Sequence, residues 1–563
     1  MTQKTSVAEV KKNRIIYLIL GLMCLLPGIL YATKSLTFDD SLVKKISYLF
    51  ISVSLFLLPF LFFKAKTVFS LSIIYVIFSP LEIIHLFMYK AGVSSGFMLL
   101  IFQTNLSEAL EVLSSFSIIA IIYILLLIAY IVLIINIKED GYLLSRKYRL
   151  YAGVFVSAIF ISLYVYTFSL GLGLTPTVAK AYHFSNKAYI QKFNKIYPID
   201  IFLAAQSAFK TKSKINNSSE ELRNFSFNSR SGNHFAEREI YVFVIGETAR
   251  YANFGINGYH RNTSPKLSAI NHLNSFQNVF TEANFTEGSL PILLTRATAT
   301  NFHISGKEKS ILEAFKEAGY STYWISNQSF SNPFIGRIAS EATAKYSTVK
   351  DFDSANNYDT SLYPDFDKVL AKNEKKQFIV IHTLGSHFRY NFRYSEQFRK
   401  FRPDFTGSFG YTAINKSNKE KLINTYDNSI LFTDYFLAGI IKKIQQYKCV
   451  SYMYYISDHG ENLFDNGNAV LHGGTIPTTY DLHVPLFVWT SGRYNALFPE
   501  KVAAVQHNVS KSISSSVTFH SLLDLSNIDV PDKNDQKSIA STKLKSDTTR
   551  KMLNSNLETV IIK

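Results

Sequence analysis

Apolar positions are spread unevenly along the 563 residues of this chain. Before residue 172 they gather in five long runs, Ile15–Ala32, Ile46–Phe63, Val68–Met88, Phe116–Ile135 and Tyr151–Leu170. A helix needs about 20 residues, with about 17 as the lower limit, to cross about 30 Å of hydrocarbon. Each run therefore predicts a transmembrane helix. Lys11, Lys12 and Arg14 precede the first run as they would a leader peptide, but the run is long for one and four more come after it, so it reads as an anchor. Lys4, Lys11, Lys12 and Arg14, then Lys64 and Lys66, then Lys138, Arg146, Lys147 and Arg149 fall on one side; Lys34, Lys44, Lys45 and Lys90 fall on the other. The richer side is cytoplasmic. That places the N-terminus inside and everything after residue 171 outside, in a periplasm if the cell has one.

The third and fourth runs are joined by AGVSSGFMLLIFQTNLSEALEVLSS, apolar with a polar cluster in which Thr104 and Glu108 share a helix face. An amphipathic helix on the outer membrane surface and a passive solvated loop both fit. AYHFSNKAYIQKFNKIY then predicts a juxtamembrane helix, and the polar stretch Thr211–Arg238 predicts a linker. The expected organisation is a transmembrane domain over 1–171, a bridging helix and linker over 172–238, and an external domain over 239–563.

From residue 239 the period changes. Strand-length apolar runs at Ile240–Ile245, Ser321–Ile325, Phe378–His382, Tyr452–Ser457 and Leu486–Thr490 alternate with helical spacing in ILEAFKEAGY and NTYDNSILFTDYFLAGIIKKI. Such alternation predicts an α/β domain with a largely parallel sheet. Sites in such sheets gather beyond the carboxyl ends of the strands.

Composition adds a net charge of +17, which suits an anionic surface or substrate such as phospholipid or lipopolysaccharide. No basic run interleaved with aromatics points to nucleic acid. The two cysteines, Cys24 and Cys449, lie in unrelated parts of the pattern and predict no disulfide.

Three strand ends deliver acids or imidazoles: Glu247 after Ile245, His382 and His387 in HTLGSH, and Asp458-His459 after Ser457. Carboxylates with imidazole and no thiolate suit zinc, with manganese as the alternative. Glu247, Asp458 and His459 make three ligands, which leaves a catalytic metal one open position. Thr286, in NFTEGSLPILLTRATA, precedes a segment with helical character, where a hydroxyl at the positive end of a helix can meet a phosphate. Metal contact would lower its pKa and make it a nucleophile. A plain N-cap satisfies the same pattern, with Pro291 placed in the first turn, and Ser289 competes for both roles. Asp427 and Asp434 read as structural, and Arg250 as half of a local ion pair.

GETARYANFGINGYHRNTSP, TEGSLP, HTLGSHF, INTYDNSILFTDYF and SDHGENLFDNGNAVLHGG together resemble the bacterial phosphoethanolamine transferases. These membrane enzymes include the mobile colistin-resistance proteins and fall in the alkaline phosphatase and sulfatase superfamily. The resemblance covers nearly the whole chain and implies a five-helix transmembrane domain followed by an alkaline phosphatase-like α/β domain. It implies that Glu247, Thr286, Asp458 and His459 bind Zn2+ and that Thr286 is the nucleophile. His387 and His472 look like an outer pair for a second zinc or the substrate phosphate, and Thr104 and Glu108 like contacts to the ethanolamine head group. It further implies transfer of phosphoethanolamine from phosphatidylethanolamine to a lipopolysaccharide acceptor, with the chain in the inner membrane and its catalytic domain in the periplasm.

The departures bear on the acceptor. Leu100 stands where several lipid A enzymes carry Asn, YWISNQSFSNPF lacks the acidic, lysine-bearing stretch of the colistin-resistance type, and the disulfides of that type are missing. Core heptose or Kdo fits as well as lipid A phosphate. Another lipid donor or a periplasmic glucan acceptor stays open. A formylglycine-dependent sulfatase is set aside, because no C-x-P-x-R-like motif occurs.

Overall fold

The structure is a computed structural model that describes the chain outside residues 1–6, 34–41, 90–91, 104–116, 138–140, 175–176, 194, 218–221, 223, 331–332, 349–356, 408, 410–412, 466, 468, 475–476 and 563. It divides into two compact units, one of residues 1–98 and 117–208 and the other of residues 99–116 and 209–563.

The first unit is helical. Its helices are α1 (Val7–Thr33), α2 (Leu42–Leu57), α3 (Ala65–Leu71), α4 (Ile73–Tyr89), α5 (Ser117–Ile135), α6 (Arg146–Leu174), α7 (Val178–Phe193) and α8 (Ile199–Asn217), with a further helix, Ser95–Gln103, between α4 and α5; that helix and α8 run on into the second unit. Leu20, Phe56, Phe60, Phe69, Val76 and Tyr130 form its core. Three stretches, Lys12–Ala32, Ala65–Leu86 and Arg146–Gly173, are long and apolar enough to cross a membrane, whereas Lys45–Leu61 and Ala120–Ile135 are shorter apolar helices. Two of the five predicted spans thus come out short among the described residues. Pro59 turns the end of α2 into a 3-10 turn, and α5 is described only from Ser117. Glu82 and His85 on α4 are buried at 2% and 0% exposure, and Glu82 accepts the Val93 N–H at 3.1 Å, so the two acid–base groups of that span pack inward.

The second unit is built on a seven-stranded sheet. Its strands are β1 (Glu239–Gly246), β2 (Leu273–Phe276), β3 (Ser321–Ser326), β4 (Ala344–Ser347), β5 (Lys376–His382), β6 (Val450–Ser457) and β7 (Leu486–Thr490). Their order across the sheet is β2-β7-β6-β1-β5-β3-β4. The five strands from β6 to β4 run parallel, and β7 lies antiparallel to both β6 and β2. The sheet is therefore mixed, with a parallel centre. Every residue of β1 and β6 is buried, as continuous apolar strands covered on both faces must be. Each fully buried Val, Ile or Phe contributes about 1.5–3 kcal/mol. Cys24 and Cys449 are free and buried.

Strand register brings the functional loops together. Ile245 of β1 sits opposite His382 of β5 and Ile456 of β6, and Gly246 opposite Ser457. The ladder continues one step past the strands: the Thr383 N–H donates to Ile245 O at 3.1 Å and the Asp458 N–H to Gly246 O at 3.1 Å. The three loops bearing acids and imidazoles therefore leave the sheet side by side.

The long helix α9 (Lys419–Gln445) carries Asp427 and Asp434, which are structural. Asp427 accepts from Asn253, Tyr259 and Arg261. Asp434 accepts the N–H groups of Lys266 and Leu267 at 3.0 and 2.7 Å, fixing the short helix Pro265–Ser268. Asp434→Ala strands these donors in a buried place and is expected to cost about 1–3 kcal/mol, read as a lowered thermal midpoint with unchanged metal content.

Candidate metal centre and active site

Glu247, Asp458 and His459 converge just beyond the ends of β1 and β6. All three are buried, and one ligand atom from each lies within 4.8 Å of the others. The Nε2 of His459 is 3.3 Å from Glu247 Oε1 and 3.3 Å from Asp458 Oδ2. His459 Nδ1 lies 2.9 Å from Gly460 O. Donation to that carbonyl keeps the proton on Nδ1 and makes Nε2 the nitrogen that can give up its proton to take a metal. Asp458 Oδ2 is buried without a hydrogen-bond partner. A buried carboxylate oxygen without a donor is costly; a cation would satisfy it. The donor set of two carboxylates and one imidazole fits zinc.

Thr286 completes the group. It is the first residue of α10 (Thr286–Leu294). The cap position belongs to Phe285, so the Thr286 hydroxyl does not cap; it donates to Glu247 Oε2 at 3.3 Å and stands 3.3 Å from His459 Nε2. The helix begins earlier than Pro291 implied: the proline lies inside it, past the first turn. Ser289 is turned away, its hydroxyl donating to Ala283 O at 2.9 Å.

The backbone is bent to make this possible. Thr248 holds φ at 58°, a left-handed conformation that a β-branched residue adopts only under constraint. The turn sends the Thr248 N–H to Asp458 Oδ1 at 3.1 Å and its hydroxyl to Glu247 Oε1 at 2.7 Å. Gly385, at φ +50°, passes so close that a Cβ there would lie 2.5 Å from Glu247 O. The Gly385→Ala variant is therefore expected to push the Glu247 turn out of place, with at least about 10-fold weaker metal binding, the scale at which a disturbed outer contact acts. Metal titration by calorimetry checks this.

Two partners of the centre were not assigned from the sequence. Gln328 donates to Glu247 Oε2 at 3.1 Å and to Thr383 O at 2.8 Å, so it locks that carboxylate to the neighbouring strand end. Glu461 is fully buried, accepts from Tyr390 at 2.8 Å and sits 3.2 Å from His472 Nδ1. Its place beside Asp458-His459 was the available signal. His472 in turn lies against His459, ring centroids 4.0 Å apart. His387 is half-buried, and its Nδ1 lies 2.6 Å from Phe388 O. Thr104 and Glu108 lie outside the described residues. Arg250 pairs with Asp465 at 2.6 Å.

The electrostatics match a place made for a cation. Burial, then the Glu247 charge, pushes Asp458 up to about 8. Burial alone would lower His459, but Asp458 and Glu247 outweigh it and push the imidazole up to about 10. Burial opposes the Glu247 charge, yet the His459 hydrogen bond and charge hold that carboxyl well below the usual range. Burial brings His387 down to about 4 and keeps it neutral.

Comparison with known proteins identifies the family. The sulfatase family profile matches residues 239–528, more than half of the chain. This chain belongs to the sulfatase family. Its sulfatase-family domain matches the C-terminal periplasmic domain of Escherichia coli EptC, solved in complex with Zn, at 27% identity and a TM-score of 0.54, covering 60% of this chain and 94% of that one. The whole chain is 26% identical to the phosphoethanolamine transferase EptC of Escherichia coli K12 over 88% of its own length and 86% of the relative's. It is 30% identical to the phosphatidylethanolamine transferase Mcr-1 of Escherichia coli over 57% of its length and 62% of the relative's. The integral membrane phosphoethanolamine transferase EptA of Neisseria meningitidis shares the fold, with a TM-score of 0.69 at 23% identity over 93% of this chain and 98% of that one. A membrane part followed by a sulfatase-family domain is thus the architecture of this protein.

Proposed function

We propose that this sulfatase-family protein transfers phosphoethanolamine from phosphatidylethanolamine to a lipopolysaccharide acceptor, through a covalent intermediate on Thr286. The observation that carries the reading is the position of one hydroxyl. Thr286 Oγ1 lies 3.3 Å from both Glu247 Oε2 and His459 Nε2, two side chains of the candidate metal centre. The relatives named phosphoethanolamine transferases support the transferred group.

Glu247, Asp458 and His459 would hold Zn2+ in this reading, with the Thr286 hydroxyl beside them. The ion, when bound, supplies Lewis acidity that lowers the hydroxyl pKa and offsets charge on phosphoryl oxygens. Thr286 Oγ1 forms the new bond to phosphorus while the bond from phosphorus to the diacylglycerol oxygen breaks. The Thr286 proton leaves through the acids beside it. His472, held by Glu461 at Nδ1, protonates the departing oxygen and later takes a proton from the acceptor hydroxyl. His387, kept neutral, faces the phosphoryl group. The α10 dipole orients the phosphate over the nucleophile. Acceptor attack then cleaves the Thr286–phosphorus bond and restores the hydroxyl. Thr104 and Glu108 bind the ethanolamine ammonium.

The membrane part suits two lipid substrates, since confinement to one surface raises their effective concentration. We assign it five spans over 1–171, joined by 172–238 to a periplasmic domain over 239–563, in a bacterial inner membrane. The test is intact mass of the purified protein after incubation with phosphatidylethanolamine and Zn2+. A single phosphoethanolamine adduct, lost with a chelator and matched by diacylglycerol release, is the expected result. No adduct and no diacylglycerol would sink the reading.

A further inference from the structure

A cleft away from the metal centre is lined by residues of the sulfatase-family region and of the C-terminal stretch that follows it. Its volume is about 430 Å³, inside the roughly 300–1,000 Å³ range of small-molecule sites. It is walled by the antiparallel hairpin Arg550–Leu553 and Thr559–Ile562, and by the parallel pair Asn278–Phe280 and Ser512–Ser514.

Four cations line it: Lys537, Lys545, Arg550 and Lys551. Among the described residues none of them has a carboxylate oxygen within 4.0 Å. Their neighbours behave differently. Lys501, Lys533 and Lys543 are paired with Asp524, Asp529 and Asp535. The carboxylates of the cleft are committed elsewhere. Glu282 accepts from the Ala299 N–H and from Ser514 through separate oxygens, at 2.6 and 2.7 Å, and Asp547 takes a hydrogen bond from Ser514. Asp547 offsets part of the charge of Lys537 and Arg550, but four cations face two carboxylates in the lining, so the balance at the opening stays positive. Cations gathered in one cleft raise the local positive potential and draw anions to it.

The remaining lining narrows the ligand. The run Ser546-Asp547-Thr548-Thr549, with Asn534 and Gln536, presents hydroxyls and amides. Such groups match the hydroxyl rim of a sugar. A nucleotide fits poorly, because Phe280, the aromatic ring in the lining, is covered by the Arg550 guanidinium at 3.3 Å. Laid flat on that ring, the guanidinium keeps its planar fork for a phosphate.

The cleft is wired to the metal centre. Arg550 stacks on Phe280, Phe280 on His483 (4.7 Å), and His483 on Tyr251 (4.1 Å), just past the Glu247 turn. Thr281, in the lining, donates to Asp458 O at 2.6 Å. Phe280 and Thr286 are six residues apart, so at most about 21 Å separates them along the chain.

From this we infer that the cleft is an anchoring site for a phosphorylated saccharide, held by Lys537, Lys545, Arg550 and Lys551 while another part of the same molecule reaches Thr286. That the bound sugar is the acceptor rests on the proposed transfer reaction; that the cleft takes a phosphorylated sugar does not.

The experiment uses the full chain in detergent with three probes: a deacylated bisphosphorylated glucosamine disaccharide, the same disaccharide without phosphates, and inorganic phosphate. Calorimetry on wild type is expected to show binding of the first at least about 10-fold tighter than either of the others. The double variant Lys545→Glu, Lys551→Glu is expected to lose about 10-fold or more, and Arg550→Gln, a milder change that spares the fold, to weaken binding in the same direction. Thr286 loading from phosphatidylethanolamine stays unchanged in both. Equal binding by the variants, or inorganic phosphate binding as tightly as the sugar phosphate, overturns the cleft. A chain that binds the disaccharide yet never loads Thr286 overturns the reaction and leaves the cleft standing.

Discussion

Thr286→Ala is expected to abolish the phosphoethanolamine adduct and lower transfer by on the order of 10^4–10^6-fold, the scale on which enzymes lose turnover when a covalent nucleophile is removed. Neither Ser289 nor Thr248 replaces it. Ser289 Oγ is buried and donates to Ala283 O at 2.9 Å, and the Thr248 hydroxyl is committed to Glu247 at 2.7 Å. Thr286→Ser keeps the hydroxyl at the start of α10 and should still load. Ser289→Ala should load like wild type. The comparison separates a nucleophile from a helix start, because a structural role would depress the thermal midpoint in Thr286→Ala and leave the adduct. An adduct that survives in Thr286→Ala would move the chemistry to another side chain.

Much of this site could be read in the chain because the strands are legible one at a time. EIYVFVIG and VSYMYYIS are continuous apolar runs, and each gives out at an acid that the structure brings to the centre. Which strand ends become neighbours was not legible, since that depends on the pairing of Ile245 with Ile456 and His382 across more than 130 residues of chain. The same non-locality hid Gln328, which reaches Glu247 only because β3 lies beside β5 and β5 beside β1. Glu461 was visible in SDHGE but had no partner until Tyr390 and His472 folded against it. The start of α10 was misjudged for a local reason: proline favours first turns, and Pro291 here is held inside the helix by its buried surroundings. The cationic cleft left no trace in the sequence, because its cations come from separate segments that only the fold gathers.

Metal binding at this centre is expected to release about two protons at neutral pH and to weaken steeply in acid. Without a cation, Asp458 is pushed up to about 8 and His459 up to about 10, so both carry a proton at pH 7. Glu247, held low by His459, carries none. A ligand set needs the Asp458 carboxylate and the free Nε2 of His459, so both protons must leave. Protons therefore compete with the metal: each unit of pH lost below 8 costs about two powers of ten in apparent affinity, or about 2.7 kcal/mol. Because a ligand stabilises the folded state by RT ln(1 + [L]/Kd), the gap in thermal midpoint between Zn2+-loaded and chelator-treated protein should narrow as pH falls from 9 to 6. Calorimetry in buffers of different ionisation enthalpy counts the protons directly. Asp458→Asn should remove one proton from that count and weaken binding by more than the roughly 10–100-fold that an outer partner such as Gln328 contributes. A proton count near zero at pH 7, or a midpoint gap that ignores pH, would mean that the three buried groups hold one another rather than a metal. The buried oxygen of Asp458 that has no donor would then need another explanation.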